Sequence, residues 1–383
     1  MNVVLVAPFG LAPKGTVSRR VVPLARALAA SPTTRVTALI PPWDSPQYAQ
    51  QAWTDQGVAL VHVGVAGGVP GILADLLRVI WQQHPDVVHC FKPKGYAGLV
   101  LWVLWHARRA GLWHGRLLVD TDDWEAGWND RLAYPRWLAA FFAWQETWCL
   151  RHADAVTAAS RWLVDLAAGL RHDARQVCHL PNGADASDPA TSQPPVTPHT
   201  PTALLYSRFV EVPPQRVLRV WHAVRQLLPE ARLIAAGDSL PAGAARQLAD
   251  LAGSGSGLHC LGWVPAQALP GVLAAADVAW VPGDTTLVAR ARCPVKLVEL
   301  MHAGLPVVAD ASGEILTYVR HGVEGMLVTP GDDQGTANAL VELLTDCARA
   351  WAYGQAAAAR VHAEFTWQHL APRVQRLYQE LTP

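Results

Sequence analysis

The sequence has no excess of charge of either sign. Its 31 lysine and arginine residues balance 31 aspartate and glutamate residues, and charged residues make up only 16% of the chain. A general nucleic-acid binder would show a basic excess, so no nucleic-acid partner is expected. Apolar residues amount to 51%, which excludes a disordered chain and suffices for sizeable cores. The 383 residues have the length of about two domains.

Closely spaced cysteines and long apolar runs are also missing. The six cysteines are far apart in the sequence, which excludes a zinc knuckle and a CxxC redox pair and indicates buried thiols in a reducing compartment. The longest apolar run, 97–105, is far shorter than the ~20 residues that cross a bilayer. The first ten residues carry no basic segment, unlike a signal peptide. The sequence therefore predicts a cytoplasmic protein.

Tryptophan, by contrast, is abundant, with 17 residues in the chain. Many of them lie within 102–148, where the helical spacing of Trp137, Trp144 and Trp148 favours core packing. Aromatic faces of this kind also serve as sugar-stacking platforms or as belts at membrane interfaces. Peripheral contact with the inner face of a membrane therefore stays open. Trp124 lies beside an acidic segment and is the better candidate for contact with a substrate.

Short runs of β-branched residues alternate with segments of helical period, which is the pattern of βαβ units and parallel sheets. The alternation occurs over residues 1–185 and again over 203–365, and a Pro-rich stretch without a periodic apolar face, 186–202, forms a linker. Pro23 is expected to confine the start of the first helix to its own position. We predict an α/β fold of two Rossmann-like, doubly wound domains that face each other across a cleft, with ligands at the carboxyl ends of the strands.

The most specific stretch is CPVKLVELMHAGLPVVA, residues 293–309. Pro294 suits the first position of a helix and Gly304 the left-handed residue after its end. Lys296 and Glu299 are three residues apart and share one helix face. A helix N-terminus with a lysine beside it attracts phosphate, and a carboxylate one turn later can bind a ribose diol. The alternative is a surface Lys–Glu pair on an ordinary amphipathic helix.

KLVELMHAGLPVVA resembles the donor-binding helix and strand of GT-B glycosyltransferases, especially the retaining family 4. Glu299 matches the second glutamate of the family's E-x7-E motif, which grips the nucleotide ribose, whereas Ala291 stands in place of the first. The resemblance implies a GT-B fold, sugar transfer from a nucleotide-diphosphate donor with retention, and no metal or other cofactor. It also implies that the closing helix, 366–383, packs back on the first domain.

YSRFVE, residues 206–211, resembles the strand and loop that carry the family's phosphate-binding arginine, here Arg208. The lysine that often follows five residues later is Pro213 here, and Arg216 is a possible substitute. Together with Lys296, Arg208 would stabilise the leaving diphosphate. The alternative for Arg208 is a surface arginine at a strand end.

Further segments match the family in order and spacing. LPNGAD, 180–185, resembles the turn that closes the first domain, and HGVEGMLVTPGD, 321–332, resembles the hairpin near the end of the second. Two others supply donor-binding residues: LGWVP, which frames the nucleotide base, and ASGEI, a glycine loop whose N–H groups meet the donor. The residues expected to bind the donor are thus Arg208, Lys296, Glu299, Gly262, Trp263, Ser312 and Gly313.

The family places its acceptor loop after the first strand, where this chain has Gly10, Lys14 and Gly15. Gly15 would let a phosphate or sugar approach the backbone, although a plain βα loop is an equal alternative. His89 ends the fourth predicted strand, where the family often has a histidine, and a structural histidine is the alternative. With Trp124, these residues form the expected acceptor side.

VDTDDWEAGWND follows a strand of the first domain and is its most acidic segment. Acidic residues at a strand's carboxyl end usually face the ligand, so Asp122 and Asp123 are candidates for handling the acceptor hydroxyl. Two alternatives stay open: Asp120 and Asp122 as a D-x-D metal motif of the other glycosyltransferase fold, and Asp122 or Asp123 as an N-cap.

We therefore predict a metal-independent glycosyltransferase with the catalytic residues Asp122, Asp123, Arg208 and Lys296. Its partners would be a nucleotide-sugar donor and a glycan, lipid-linked or small-molecule acceptor. A nucleotide-sugar epimerase of the same fold and a non-catalytic binding module are the alternatives. The sequence does not identify the sugar, the base or the acceptor.

Overall fold

The computed structural model describes residues 1–11, 15–129, 132, 134–185, 200–209, 212–239 and 242–382. The chain divides into two units. Unit 1 comprises Met1–Asp185, Ala291–Cys293 and Trp367–Pro383, and unit 2 comprises Ala186–Arg290 and Pro294–Thr366. The short segment Ala291–Cys293 thus belongs to unit 1, although the sequence assigned it to the second domain.

Unit 1 contains an eight-stranded sheet. Its strands are β1 (Asn2–Val6), β2 (Arg35–Ile40), β3 (Ala52–Asp55), β4 (Val58–His62), β5 (Val87–Phe91), β6 (Arg116–Thr121), β7 (Ala155–Ala158) and β8 (Val177–His179). They lie in the order β3-β4-β2-β1-β5-β6-β7-β8, and all neighbours are parallel except β3, which is antiparallel to β4. The order reverses between β1 and β5, which makes their carboxyl ends a topological switch point.

Helices cover both faces of this sheet, because the strands are apolar on both sides. The helices are α1 (Val22–Ala29), α2 (Gly68–Gln83), α3 (Gly95–Arg109), α4 (Glu125–Trp128), α5 (Arg136–His152) and α6 (Arg161–Leu170), with 3₁₀ turns at Pro46–Tyr48 and Ala174–Gln176. Along β1, Val3 and Leu5 contribute to the core under α1. Val4 and Val6 contribute to the opposite core, under α2, α3 and α5.

Unit 2 contains a six-stranded sheet in which all neighbouring strands are parallel. The strands are β9 (Thr202–Tyr206), β10 (Arg232–Ala236), β11 (Leu258–Gly262), β12 (Val278–Val281), β13 (Val307–Asp310) and β14 (Gly325–Val328). Their order, β11-β10-β9-β12-β13-β14, is the 3-2-1-4-5-6 order of dinucleotide-binding domains. Its switch point lies between β9 and β12. The predicted pair of doubly wound α/β domains is confirmed.

The remaining helices are α7 (Pro214–Leu227), α8 (Ala244–Ala252), α9 (Leu269–Ala274), α10 (Leu287–Ala291), α11 (Val295–His302), α12 (Ile315–Tyr318), α13 (Asp333–Thr345), α14 (Cys347–Glu364) and α15 (Trp367–Leu381). The last of them, α15, belongs to unit 1. Its residues Trp367, Leu370, Val374 and Tyr378 are buried in the same core as α1. Among the described helices none is long and apolar enough to cross a membrane.

The linker falls mostly outside the described residues, and its last predicted residue, Thr202, is the buried first residue of β9. α1 begins at Val22 with Pro23 in its first turn, as expected, and a π-helical turn over Val17–Val21 directly precedes it, with Val22 donating its N–H to the carbonyl of Val17. The wider turn accommodates Pro23, which has no N–H and whose ring would clash with the carbonyl of Arg19 in a regular α-helix.

The π-helical turn places Arg20 in the interior of unit 1. Its guanidinium donates to both carboxylate oxygens of Asp120 at 2.8 and 2.6 Å. It also donates to the side-chain oxygen of Asn182 at 3.0 Å and to the carbonyl of Leu180 at 2.9 Å. Arg20 and Asp120 are both buried, and the carboxylate, against the effect of burial, raises the pKa of the guanidinium. The charge of Arg20 is therefore permanent.

A chain of hydrogen bonds continues from Asp120 to α15. Thr157 donates its hydroxyl to Asp120, so its oxygen must accept from Nε2 of buried His89 at 3.1 Å. Burial, together with the charge of Arg20, lowers the pKa of His89 to about 3. The neutral ring therefore carries its proton on Nε2, and Nδ1 accepts from the hydroxyl of Tyr378 at 2.8 Å.

The buried histidine makes stability depend on pH. In the unfolded chain His89 takes up a proton near pH 6.5, whereas in the folded protein it does so only near pH 3. Its contribution is thus fully present above pH 6.5 and is lost as the pH falls towards 3. By pH 5 the loss should reach about 2 kcal/mol. Urea titrations at pH 7.5 and 5 should show the wild type losing about 2 kcal/mol more than His89→Asn over this range, because all other groups titrate in both proteins. Equal pH dependence in both proteins would assign the titration to another group.

Candidate active site

The loops at the two switch points contain strained backbone. Lys92, directly after β5, has φ 66°, and Phe209, in the loop after β9, has φ 57°. Residues with a β-carbon rarely adopt positive φ, and such residues concentrate at functional sites. Lys92 contacts the predicted residue Asp122, and Phe209 directly follows the predicted residue Arg208.

In unit 1 a lysine holds three carboxylates. The ammonium of Lys92 lies 2.7 Å from Asp122, 3.1 Å from Asp123 and 2.8 Å from Glu125. We call these four residues the Lys92 cluster. Lys94 adds a second cation, 3.2 Å from Glu125. The acidic segment is thus an organised site in which charge is nearly balanced.

The two aspartates of the Lys92 cluster differ in environment. The Asp122 side chain is only 10% exposed and accepts a further bond from Thr16 at 3.2 Å. Burial raises the pKa of Asp122, but Lys92 and Arg20 lower it by a larger amount. The net shift of the pKa is downward, so Asp122 is ionised. Asp123 is 30% exposed, and burial raises its pKa despite Lys92. Environments that separate two carboxyl pKa values in this way favour distinct acid–base roles.

The carboxylate cluster could in principle hold a metal, because oxygens of Asp122, Asp123 and Glu125 all lie within 4.8 Å of one another. The ammonium of Lys92 already lies within bonding distance of all three. The D-x-D alternative is wrong in its first member, since Asp120 is buried and bound to Arg20. The N-cap alternative is also wrong, because Trp124 occupies the cap position of α4 and no side chain caps it.

Glu146 on α5 fixes the start of α4. Its buried carboxylate accepts the N–H groups of Glu125 and Ala126 at 2.9 and 2.8 Å. Burial, partly offset by these bonds, raises its pKa to about 7. Sequence reasoning missed both Glu146 and Lys92. The available signals were that Lys92 is one of only four lysines and directly follows a strand, and that Glu146 is the single acidic residue of a Trp-rich helix.

The predicted acceptor loop is packed by a segment that the sequence did not indicate. Gly10 donates its N–H to Asp44 at 2.9 Å, and a β-carbon on Gly10 would lie 2.1 Å from the Ser45 hydroxyl, so only glycine fits. The partly exposed Trp43 donates its indole N–H to the carbonyl of Pro8. The segment WDS at 43–45 therefore joins the candidate acceptor side.

The other predicted acceptor residues lie in different environments. Lys14 lies outside the described residues. Gly15 begins the helical stretch before α1, with ample room for a β-carbon. His89 is buried with both ring nitrogens bonded, so it is a structural residue and not an acceptor contact. Trp124 is half-buried and packs against Trp162 with ring centroids 5.1 Å apart.

In unit 2, Lys296 reaches the ends of β9 and β10. Its ammonium lies 4.1 Å from the centroid of the Tyr206 ring, a cation–π contact. A β-carbon on Gly237 would lie 2.1 Å from the carbonyl of Ser207 and 3.5 Å from that ammonium. Glu299 is half-buried on the same helix, α11. The sequence correctly predicted this helix, which begins after Pro294.

Arg208 and Arg216 have separate roles. Arg208 is half-buried in the loop after β9, beside the strained Phe209. Arg216 is buried and donates to Asp310 at 2.8 and 3.0 Å and to Asp333 at 2.9 Å. It also bonds the carbonyl of Gly283. Arg216 therefore stabilises the strand ends of unit 2, and the expectation that it substitutes for a phosphate-binding lysine is wrong.

The two predicted glycine loops lie at strand ends. The carbonyl of Gly262, which has φ 64°, accepts the N–H of Gly237 at 2.7 Å, and the neighbouring Trp263 is about half exposed. Ser312 donates its hydroxyl to the carbonyl of Asp284. Gly313 has φ 52°, and a β-carbon there would lie 2.9 Å from the α-carbon of Arg290.

Ala291, which replaces the family's first motif glutamate, is a packing residue of unit 1. It is buried against Ala158 and Leu163, and its carbonyl accepts the Ser160 hydroxyl at 2.7 Å. Two residues later, the carbonyl of Cys293 accepts the side-chain N–H of Asn182 at 2.9 Å. A glutamate side chain at position 291 would have no room in this apolar contact.

Comparison with known proteins agrees with this architecture. Residues 15–183 match the family "Glycosyl transferase 4-like domain", and residues 200–346 match "Glycosyl transferases group 1". A GDP-mannose-dependent alpha-(1-6)-phosphatidylinositol monomannoside mannosyltransferase of Mycobacterium tuberculosis is 26% identical over 351 residues, 88% of each chain.

Solved structures share the fold at lower identity. The sucrose-phosphate synthase of Thermosynechococcus elongatus superposes with a TM-score of 0.76 at 19% identity, covering 99% of this chain and 98% of that one. The Anabaena protein HepE, solved with UDP-glucose, has a TM-score of 0.65 at 18% identity, with 99% of each chain covered.

Two doubly wound units with this order of strands give the chain the GT-B fold. The chain belongs to the group 1 glycosyltransferases, with a family-4-like first domain, and it is a glycosyltransferase. The predicted recognition and enzyme class are confirmed.

The Lys92 cluster allows a test of the role of its lysine. Lys92→Met should lower the free energy of unfolding by about 3 kcal/mol or more, because buried carboxylates lose their cation. Mn²⁺ should then raise the melting temperature of the variant, since three carboxylates remain to bind it. Lys94→Met is the control, because Lys94 contacts only Glu125 among the three carboxylates. Its free energy of unfolding should fall by less. An equal Mn²⁺ effect on the wild type would mean that Lys92 does not exclude metal.

Proposed function

We propose that the enzyme transfers a sugar from a nucleotide-diphosphate donor to an acceptor hydroxyl, with retention and without a divalent metal. The observation that carries the proposal is the placement of Lys296 and Glu299 on one helix of unit 2, with Lys296 over Tyr206 at the end of β9. Nucleotides bind outside the carboxyl ends of the strands at such switch points.

The donor groups have complementary tasks in this proposal. Lys296 and Arg208 stabilise the negative charge that develops on the leaving diphosphate, which is the largest catalytic effect available in such a site. Glu299 accepts hydrogen bonds from the ribose diol. The backbone at Ser312 and Gly313 meets the donor sugar or phosphate, and Gly262 with Trp263 frames the base. The mycobacterial relative is named for GDP-mannose, which makes that donor the first to test.

An assay of nucleoside diphosphate release tests the proposed function. The enzyme should release diphosphate from one donor of a panel containing GDP-mannose and UDP-glucose, when a suitable acceptor is present, and EDTA should not reduce the rate. An epimerised donor without release would favour the epimerase. Donor binding without either reaction would favour the binding module. Activity that EDTA abolishes and Mn²⁺ restores would refute metal independence.

The donor site predicts two binding defects. Glu299→Gln and Lys296→Ala should each weaken the binding of the nucleoside diphosphate by about 1.5–3 kcal/mol, because each removes a charge-assisted hydrogen bond. Titration calorimetry measures both. Glu342→Gln is the matched control, since Glu342 is an exposed helical glutamate whose partner is Arg349. Wild-type affinity in both site variants would refute the assignment.

On the acceptor side, Asp123 is the better candidate for taking the proton of the attacking hydroxyl. It is the more exposed of the two aspartates, and its raised pKa suits a group that exchanges a proton. Asp122 is ionised and held by Lys92 and Thr16, so its role is to position the loop. Trp124 and the exposed Trp43 would contact the acceptor near these groups.

The two aspartates should respond differently to the same substitution. Asp123→Asn should lower turnover by about 10²-fold or more, the scale of a general base, with nearly unchanged diphosphate affinity and melting temperature. Asp122→Asn should lower the melting temperature more, because it removes a buried partner of Lys92. Turnover and thermal unfolding of both variants are the measurements. Wild-type turnover of Asp123→Asn would leave Asp123 without a catalytic role.

The acceptor class is proposed to be lipid-linked, with peripheral membrane contact. The name of the mycobacterial relative specifies a phosphatidylinositol monomannoside. The same sugar transfer could also take place to a glycan or to a small-molecule acceptor. Vesicles that carry a glycosylated phosphatidylinositol, compared with free sugars in the same assay, distinguish these acceptors.

A further inference from the structure

Helices α3 and α5 present an unusually aromatic surface to solvent. Trp137 is 71% exposed and Trp144 47%, and Trp102 on the neighbouring helix is also exposed. On α5, Trp137, Phe141, Trp144 and Trp148 follow the spacing that places residues on one face. The sequence favoured core packing for these tryptophans, and for Trp137 and Trp144 the structure contradicts it.

A continuous series of ring contacts includes the exposed Trp144. The other five rings are half-buried. The series is here called the aromatic ladder and consists of Tyr134, Phe142, Phe141, Trp144, Trp148 and Trp105. Successive centroids are 5.3, 5.8, 5.7, 6.4 and 5.4 Å apart. At one end, Lys94 lies 4.7 Å from the Tyr134 ring and 4.6 Å from the Phe142 ring. Because Lys94 also contacts Glu125, the ladder begins at the Lys92 cluster and runs away from it.

The exposed charges of helices α3 and α5 have one sign. Helices α3 and α5 contain four arginines, and their single acidic residue is Glu146, which is buried. Arg109, Arg136 and Arg151 are exposed, and the Arg109 guanidinium lies 4.9 Å from the Trp105 ring. The chain as a whole has no net charge, so this local basic rim is not a consequence of composition.

We propose that the face formed by α3 and α5 docks on an anionic lipid bilayer. Tryptophan and tyrosine rings partition to the level of the headgroups, and arginine binds lipid phosphates. An apolar face with a basic rim lies in the plane of the interface and does not span the bilayer. The proposal rests on the proposed function in one respect: the ladder would lead a lipid-borne acceptor from the bilayer to the Lys92 cluster.

Vesicle flotation tests the docking directly. The wild-type protein should float with vesicles that contain phosphatidylglycerol, bind vesicles of phosphatidylcholine alone more weakly, and dissociate at high salt. The double variant W137A/W144A should lower binding by about tenfold or more, because two exposed rings lose their insertion. Arg136→Gln with Arg151→Gln should weaken binding to the anionic vesicles alone. Trp351→Ala, at a 43% exposed tryptophan of α14 in unit 2, is the matched control and should bind normally.

Several results would overturn the docking. They are absence of vesicle binding by the wild type, wild-type binding by W137A/W144A, and equal binding to both kinds of vesicle. Sedimentation velocity adds another: a wild-type dimer that W137A/W144A dissociates would make the face an interface between two copies of the chain. Flotation needs no nucleotide sugar, so failure of the proposed reaction does not affect this test. Diphosphate release with a water-soluble acceptor should be unchanged in W137A/W144A.

Discussion

The buried ion pair of Arg20 and Asp120 is the interaction on which unit 1 depends. A buried pair adds little net stability, but removal of one partner leaves an uncompensated charge and costs about 3–5 kcal/mol. Both partners make further hydrogen bonds. Arg20 also donates to the side chain of Asn182 and to the carbonyl of Leu180, and Asp120 accepts from Thr157. The pair joins the π-helical turn before α1 to the end of β6. The acidic residues of the candidate site directly follow that strand, so their position depends on the pair.

The same network brings distant parts of the chain together. Asn182 binds Arg20 through its oxygen and the carbonyl of Cys293 through its nitrogen. His89 binds Tyr378, almost at the end of the chain. Residues 1–185 alone would therefore leave a buried ring nitrogen without its donor and the α1 face of the sheet without α15. The first unit requires the C-terminal helix for a complete core, although most of its residues come from the first half of the sequence.

The fold could be predicted because strand and helix periodicity are local. Helix α11, with Lys296 and Glu299, could also be predicted, since proline and glycine mark its ends. The partners of buried polar groups could not. Arg216 resembled a phosphate ligand in the sequence, but its partner Asp310 lies 94 residues away. His89 likewise has one partner 289 residues away. No local pattern contains such pairs, so sequence reasoning located the strand ends correctly and misassigned some of the polar residues found there.

The Lys92 cluster gives a physical reason for expecting metal-independent chemistry. Three carboxylates this close would attract a divalent cation, whereas an ammonium within bonding distance of all three supplies a cation that belongs to the chain. Its pKa is raised by the surrounding acids against the effect of burial, so its charge does not change near neutral pH. Two ammonium groups, Lys92 and Lys94, face three carboxylates, and one negative charge is left in excess. The carboxyl with the raised pKa and the greater exposure is Asp123, so this excess favours Asp123 as the group that accepts a proton.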